Sequence, residues 1–204
     1  MADNGTRRPI VLWCDIKQGG LAMRSKFLLA AAALLAASPA AAAVTVLGNT
    51  SARQCYEAAE ARGIATHDAI RTCDQAMREE GLSEHDRVAT LVNRGVLKAR
   101  LGKLESAIVD YDAALEQNPD EAEAYLNKGF ALLRLSTAAE NAKPLFDSAL
   151  AKRTRRPELA YYGRAVANEL SGQVRAAYED YRQASLLDPS WKDPKADLAR
   201  FQVR

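Results

Sequence analysis

The chain has 204 residues and a formal net charge of +2 at pH 7; 48% of its residues are hydrophobic and 26% are charged. A balance this near neutral gives no basic face of the kind that binds nucleic acid. The two histidines, His67 and His85, have no second ligand at metal spacing and no paired acid, so neither a metal site nor a catalytic constellation is expected, and no cofactor.

Residues 23–43 read as a secretory signal peptide. Met23, Arg24 and Lys26 make a short basic region, Phe27 to Ala37 an apolar run, and Ala41-Ala42-Ala43 the small-x-small pattern that a signal peptidase requires. Cleavage is expected after Ala43, with one residue of latitude. The apolar run is short, rich in alanine and broken by Pro39, so no stable membrane insertion is expected once the signal is removed. Met23 fits the start of such a signal, and residues 1–22 are read as an untranslated or disordered leader. From Val44 onward the chain carries 23 basic and 24 acidic residues. A bacterial periplasm is the expected location.

The exported part holds two cysteines, Cys55 and Cys73. In an oxidising compartment they form a candidate disulfide. Ser51 to Arg62 and Thr66 to Glu80 read as helices, with Gly63 and Gly81 at their ends. One cysteine on each lets the two meet across the pair. A link over this span stabilises by ~3 kcal/mol in the chain-entropy view.

Three phased copies of one pattern follow. The first reads Leu91, Gly95, Gly102, Ala107, Tyr111, Ala114, Pro119; the second Tyr125, Gly129, Ala142, Phe146, Ala149; the third Tyr161, Ala165, Gly172, Ala177, Tyr181, Ala184, Pro189. Leu91 and Tyr125 lie 34 residues apart, as do Gly95 and Gly129. The second copy has an extra residue near Ser136 to Glu140, another after Leu150, and no proline at the expected place. Gly163 offers a rival register for the small position in the third copy, but the spacing from Gly172 to Pro189 favours Ala165.

Order and period resemble the tetratricopeptide repeat, or TPR. The resemblance implies an all-α fold, a right-handed superhelix (α-solenoid) of antiparallel helix pairs with a capping helix. Each pair cannot bury its apolar stripe alone, and stacking supplies the core. Ala69, Ile70, Cys73, Ala76 and Met77 mirror Ala107, Ile108, Tyr111, Ala114 and Leu115, so Cys73 takes the aromatic position of a degenerate first pair. Where the family commonly has leucine before the glycine, this chain has Arg94, Lys128 and Arg164. The expected organisation is a degenerate pair over 44–87, repeats over 88–121, 122–157 and 158–191, and a cap over 192–204. Asp193-Pro194 reads as the start of that cap, with Leu198 and Phe201 on one face.

The resemblance also implies a concave groove lined by the first helix of each pair. Carried over by position, it holds Val92, Asn93, Val96 and Arg100 from the first copy, Leu126, Asn127, Phe130 and Arg134 from the second, and Tyr162, Val166 and Glu169 from the third. Asn93 and Asn127 can pair with the backbone of an extended peptide. Arg100 and Arg134 can grip a carboxylate, and Phe130 and Tyr162 can serve as apolar anchors. On this reading Asn93, Phe130 and Tyr162 face an inner wall open to another molecule. The function expected is non-catalytic binding of a peptide or helical segment of a protein partner in the cell envelope. An accessory subunit of an envelope enzyme and a self-assembling structural protein are the alternatives, and the oligomeric state stays open. The run Lys152, Arg153, Arg155 and Arg156 reads as a solvated loop cluster.

Overall fold

The computed structural model describes residues 42–46, 50–61, 64–79, 81–135 and 139–201. The leader, the signal segment through residue 41, Gly63 and Ser136 lie outside the described residues. Among those described are nine helices and no strand: α1 (Thr50–Glu60), α2 (His67–Glu79), α3 (Glu84–Arg100), α4 (Leu104–Gln117), α5 (Ala122–Arg134), α6 (Ala139–Ala151), α7 (Pro157–Leu170), α8 (Val174–Leu187) and α9 (Lys192–Leu198). The architecture is an α-solenoid of antiparallel helix pairs. α1 packs on α2, α3 on α4, α5 on α6 and α7 on α8; α3 stacks on α1 and α2, α5 on α4, α7 on α6, and α9 closes the far end against α8.

Close approach within two of the pairs, α3–α4 and α5–α6, depends on a missing side chain. A methyl group on Gly95 would sit 2.5 Å from Cε1 of Tyr111, and one on Gly129 would sit 2.8 Å from the ring of Phe146. The rings therefore lie directly on the backbone of the facing helix, where they are fully buried. Gly163 performs the same service across a different boundary. A methyl there would meet Phe146, the aromatic of the preceding pair, at 2.4 Å. Ala165 is the true counterpart of Gly95, because Arg94 and Arg164 each reach an aspartate 16 residues on, Asp110 and Asp180. Both small positions of the third copy are thus used, one within the pair and one between pairs.

The connections explain the spacing of the copies. The inner turns 101–103 and 171–173 carry Gly102 and Gly172 at φ of 76° and 74°, in the left-handed region that glycine enters without steric cost. The inner connection of the second pair, 135–138, is one residue longer. The outer loop 152–156 also exceeds its counterparts 118–121 and 188–191 by one residue. It turns at Arg153, whose φ is 60°, and Pro157 then opens α7 at its first turn.

The cations that replace leucine tie neighbouring pairs together. Arg94 donates to Asp110 of its own pair through Nε and Nη2, at 3.0 and 2.6 Å, and to Asp74 of the pair before at 2.7 Å. Arg164 repeats this with Asp180, at 2.9 and 2.7 Å, and with Asp147 at 2.7 Å. Lys128 bonds Asp112 of the preceding pair. Each cation therefore sits where two pairs meet, with part of its length still in water.

Both ends are closed. Cys55 and Cys73 are joined by a disulfide that links α1 to α2, and both are fully buried. At the other end the cap begins earlier than expected: Trp191, not Asp193, occupies the N-cap, and Pro194 lies inside the helix, buried. The indole of Trp191 donates to Asp193 at 3.0 Å. Phe201, just past the helix, stacks edge-on with Tyr178 and packs beside Tyr181.

Candidate functional site

Two of the positions expected to line the groove, Asn93 and Asn127, converge on a short stretch of the same chain. Residues 42–46 lie outside any helix, and Ala42, Ala43, Val44 and Val46 are all buried. Asn93, in the third turn of α3, meets Val44 face to face. The Val44 N–H donates to Asn93 Oδ1 at 2.8 Å, and Asn93 Nδ2 donates to the Val44 carbonyl at 2.7 Å. This reciprocal pair uses the amide as a strand uses a neighbouring peptide unit. Asn127, one repeat later on α5, donates to the Ala42 carbonyl at 2.9 Å and to the Glu123 carbonyl at 2.8 Å. Two asparagines one repeat apart thus engage alternate residues, 42 and 44, of the same stretch.

Apolar burial accompanies these bonds. Ala42 belongs to the cluster of Leu126, Phe130 and Val166; Val44 and Val46 to that of Val92; and Ala43 to that of Val96 and the two cysteines. Burying a valine side chain stabilises by roughly 1.5–3 kcal/mol, and each hydrogen bond adds about 1 kcal/mol net. Ordering a residue costs about 1–2 kcal/mol. The segment is held by several modest terms rather than by one large anchor.

The expected open wall is therefore closed. Asn93 has no exposure and Phe130 only 6%. Val92, Val96, Leu126 and Val166 are likewise buried. Phe130 stacks edge-on against Phe146 at 5.1 Å, so it belongs to the core of its pair. Tyr162 donates its hydroxyl to Asp197 at 2.9 Å and packs its ring against Trp191 and Tyr181, beneath the cap. Burial, then the adjoining Asp197, raises the Tyr162 hydroxyl well above its ordinary value. Glu169 takes two bonds from Arg200, at 2.8 and 2.9 Å, and one from Tyr181 at 2.8 Å.

Arg100 and Arg134 serve a different purpose from the one expected. Arg100 Nη1 donates to the carbonyl of Ala61 at 2.8 Å, at the end of α1. Arg134 Nη1 donates to the carbonyl of Ala99 at 2.7 Å, in the last turn of α3. Each guanidinium bonds a carbonyl at the end of the preceding first helix and places positive charge at its negative pole. Burial lowers the Arg100 pKa.

The basic loop is also tied down. The Arg155 N–H donates to Glu123 Oε1 at 2.8 Å, and Arg155 Nη1 reaches Thr45 Oγ1 at 3.3 Å. Lys152 pairs with Asp120 and Arg156 with Glu158. Sequence reasoning missed Glu123, which is buried under this loop, and Glu121 beside it. Burial, and then the hydrogen bond to Glu123, raise the Glu121 carboxyl to about 7. Two acids two residues apart, one at the N-cap and one in the first turn of α5, were the available signal.

Residues 97–136 match the family model described as TPR repeat. They run from the end of α3 through α4 and α5. That stretch is similar to a TPR repeat. Serine/threonine-protein phosphatase 5 of Rattus norvegicus, Mus musculus and Homo sapiens is in each case 36% identical over 97 residues, which is 45% of this chain. The chain spans 18% of the length of these relatives, so most of each phosphatase lies outside the match. Among solved structures, MamA 41-end from Desulfovibrio magneticus RS-1 and the MamA RS-1 ArsTM double mutant each superpose with a TM-score of 0.59 and 23% identity, over 74% of this chain and 82% of theirs. At that identity the likeness shows the fold.

Among the described residues no group of His, Cys, Asp and Glu is placed to hold a metal ion, and no helix is long and apolar enough to cross a membrane.

Proposed function

We propose that this protein is a non-catalytic binding scaffold whose concave face takes an extended segment of a protein partner. One observation carries the reading: Asn93 brackets the backbone of Val44 through both its amide groups while the flanking side chains are small. Such a contact recognises main chain, so it accepts any segment that is extended and slim enough to enter. The TPR match and the MamA-like fold support a scaffold. The export signal read at residues 23–43 supports a place in the cell envelope.

The test is peptide selection. A displayed library of random peptides is panned against the full chain and against a variant carrying both Asn93→Ala and Asn127→Ala. Selected peptides should be uncharged and poor in large side chains, and the variant should fail to retain them. Equal retention by a folded variant removes the groove from the reading. Location is tested separately by N-terminal sequencing of the protein from the envelope fraction, which should start within a residue of Val44.

A further inference from the structure

The bond at which the export signal is read to end lies inside the fold. We infer that Ala43–Val44 is a processing site open only in the unfolded chain: the leader is cut before the helix pairs stack, and a chain that folds first keeps its leader. This rests on the export signal read at residues 23–43. It adds the order of processing and folding, and with it the unfolded form in which the chain crosses the membrane.

An endopeptidase reads its substrate as an extended strand, whose peptide groups pair with the enzyme and whose side chains enter its pockets. Cleavage within a folded protein therefore waits for the site to open. Here both kinds of contact are already taken. The Val44 N–H, part of the bond to be cut, donates to Asn93 Oδ1 at 2.8 Å. The Val44 and Ala42 carbonyls accept from Asn93 Nδ2 and Asn127 Nδ2 at 2.7 and 2.9 Å. Ala42, Ala43 and Val44 are only 5%, 8% and 1% exposed. Ala43, whose methyl must fill a small pocket of the peptidase, lies instead in one cluster with Val96, Leu97 and the Cys55–Cys73 disulfide. Moving the cut by one residue changes nothing, because Ala42, Ala43, Val44 and Thr45 belong to the same held stretch.

The cover comes from far along the chain. Asn93 is 49 residues beyond Val44, Asn127 is 85 beyond Ala42, and Arg155, which reaches Thr45, is 110 beyond it. In a chain that emerges N-terminal end first, the bond arrives ahead of everything that hides it. It stays open until α3 and α5 follow and stack, and that interval belongs to the peptidase. The cut is a hydrolysis. Water adds across the bond, its oxygen completing a carboxylate on Ala43 and its two protons completing an α-ammonium on Val44. The carboxylate leaves with the leader, and the bond from Asn127 to Ala42 goes with it. The Val44 ammonium still has protons to donate to Asn93 Oδ1, so the finished chain keeps that pairing when the stack closes.

The test measures cutting by purified signal peptidase in detergent micelles, with the products read by mass. One substrate is the full chain, purified with its leader and refolded with the disulfide formed. The other is the full chain carrying Leu97→Pro and Leu126→Pro, which break α3 and α5 and leave the cleavage sequence untouched. Circular dichroism checks that the first is folded and the second is not. The unfolded chain should be cut within a residue of Val44. With an open state of roughly 0.1–10%, the folded chain should be cut about tenfold to a thousandfold more slowly. Equal rates overturn the inference and keep the signal. An unfolded chain that is not cut overturns the signal reading and the inference together. A native sequence that does not fold while its leader is attached also overturns the inference, since no folded state then hides the bond.

Discussion

Asn93 and Val44 form a closed hydrogen-bonded pair, with the Val44 N–H and carbonyl both bound by one side-chain amide, at 2.8 and 2.7 Å, in a site without solvent. No other residue type can do this at the same reach. Aspartate lacks the donor, and leucine lacks both groups. Asn93→Asp should therefore set a carboxylate against the Val44 carbonyl and lower stability by about 2–3 kcal/mol at neutral pH, with part of the loss recovered in acid. Urea titrations at two pH values measure it, and an unchanged midpoint at both would contradict the pairing.

Gly129 and Gly81 make a matched contrast. A methyl on Gly129 collides with the ring of Phe146 at 2.8 Å, whereas one on Gly81 meets nothing within 4 Å. Gly129→Ala should cost about 1–3 kcal/mol, since the aromatic contact must open. Gly81→Ala should change stability by less than about 0.5 kcal/mol. Thermal unfolding of the two variants side by side settles the matter.

Arg164 holds Asp180 and Asp147 together across the boundary between the second and third pairs. Arg164→Leu restores the residue type common in the family but leaves the well-buried Asp180 without its main partner. The expected loss is about 2–3 kcal/mol, below the full value for a buried pair because Arg164 keeps some solvent contact. Asp180→Asn in the same chain should return part of it, and a double-mutant cycle reads the coupling. Additive losses would show that the pair is not a unit.

Glu121 ties stability to pH. Its carboxyl stands at about 7 in the folded chain against 4.5 ordinarily, owing to burial and the neighbouring Glu123. Folding then favours the protonated form, so stability should fall as pH rises from about 4.5 to about 7 and stay level above. Glu121→Gln should flatten that part of the profile and raise stability at pH 8. A profile that rises across the window in the native chain and not in the variant would reverse the assignment.

Most of the helix pairing was legible in the amino-acid order. The period of 34 residues, the glycine and alanine positions and the match of Cys73 to Tyr111 all place elements that the structure contains. These features are local. A helix face, a left-handed turn at Gly102 and a ring against Gly95 each depend on residues within one pair. The arginines were less readable. Arg100 and Arg134 were expected to grip a carboxylate, but a guanidinium bonds whichever acceptor lies within reach, and stacking brought helix-end carbonyls there.

The content of the groove lay beyond the pattern. Val44 is 49 residues from Asn93, and Ala42 is 85 from Asn127. Recognition through main chain leaves no mark in the side chains of the bound segment, so the five residues 42–46 look like any linker. Sequence alone settled that helices would pair and with what spacing, because periodicity and steric fit act over short separations. Tertiary structure alone decided what those asparagines hold, because that choice depends on which backbone the completed stack brings within hydrogen-bonding distance.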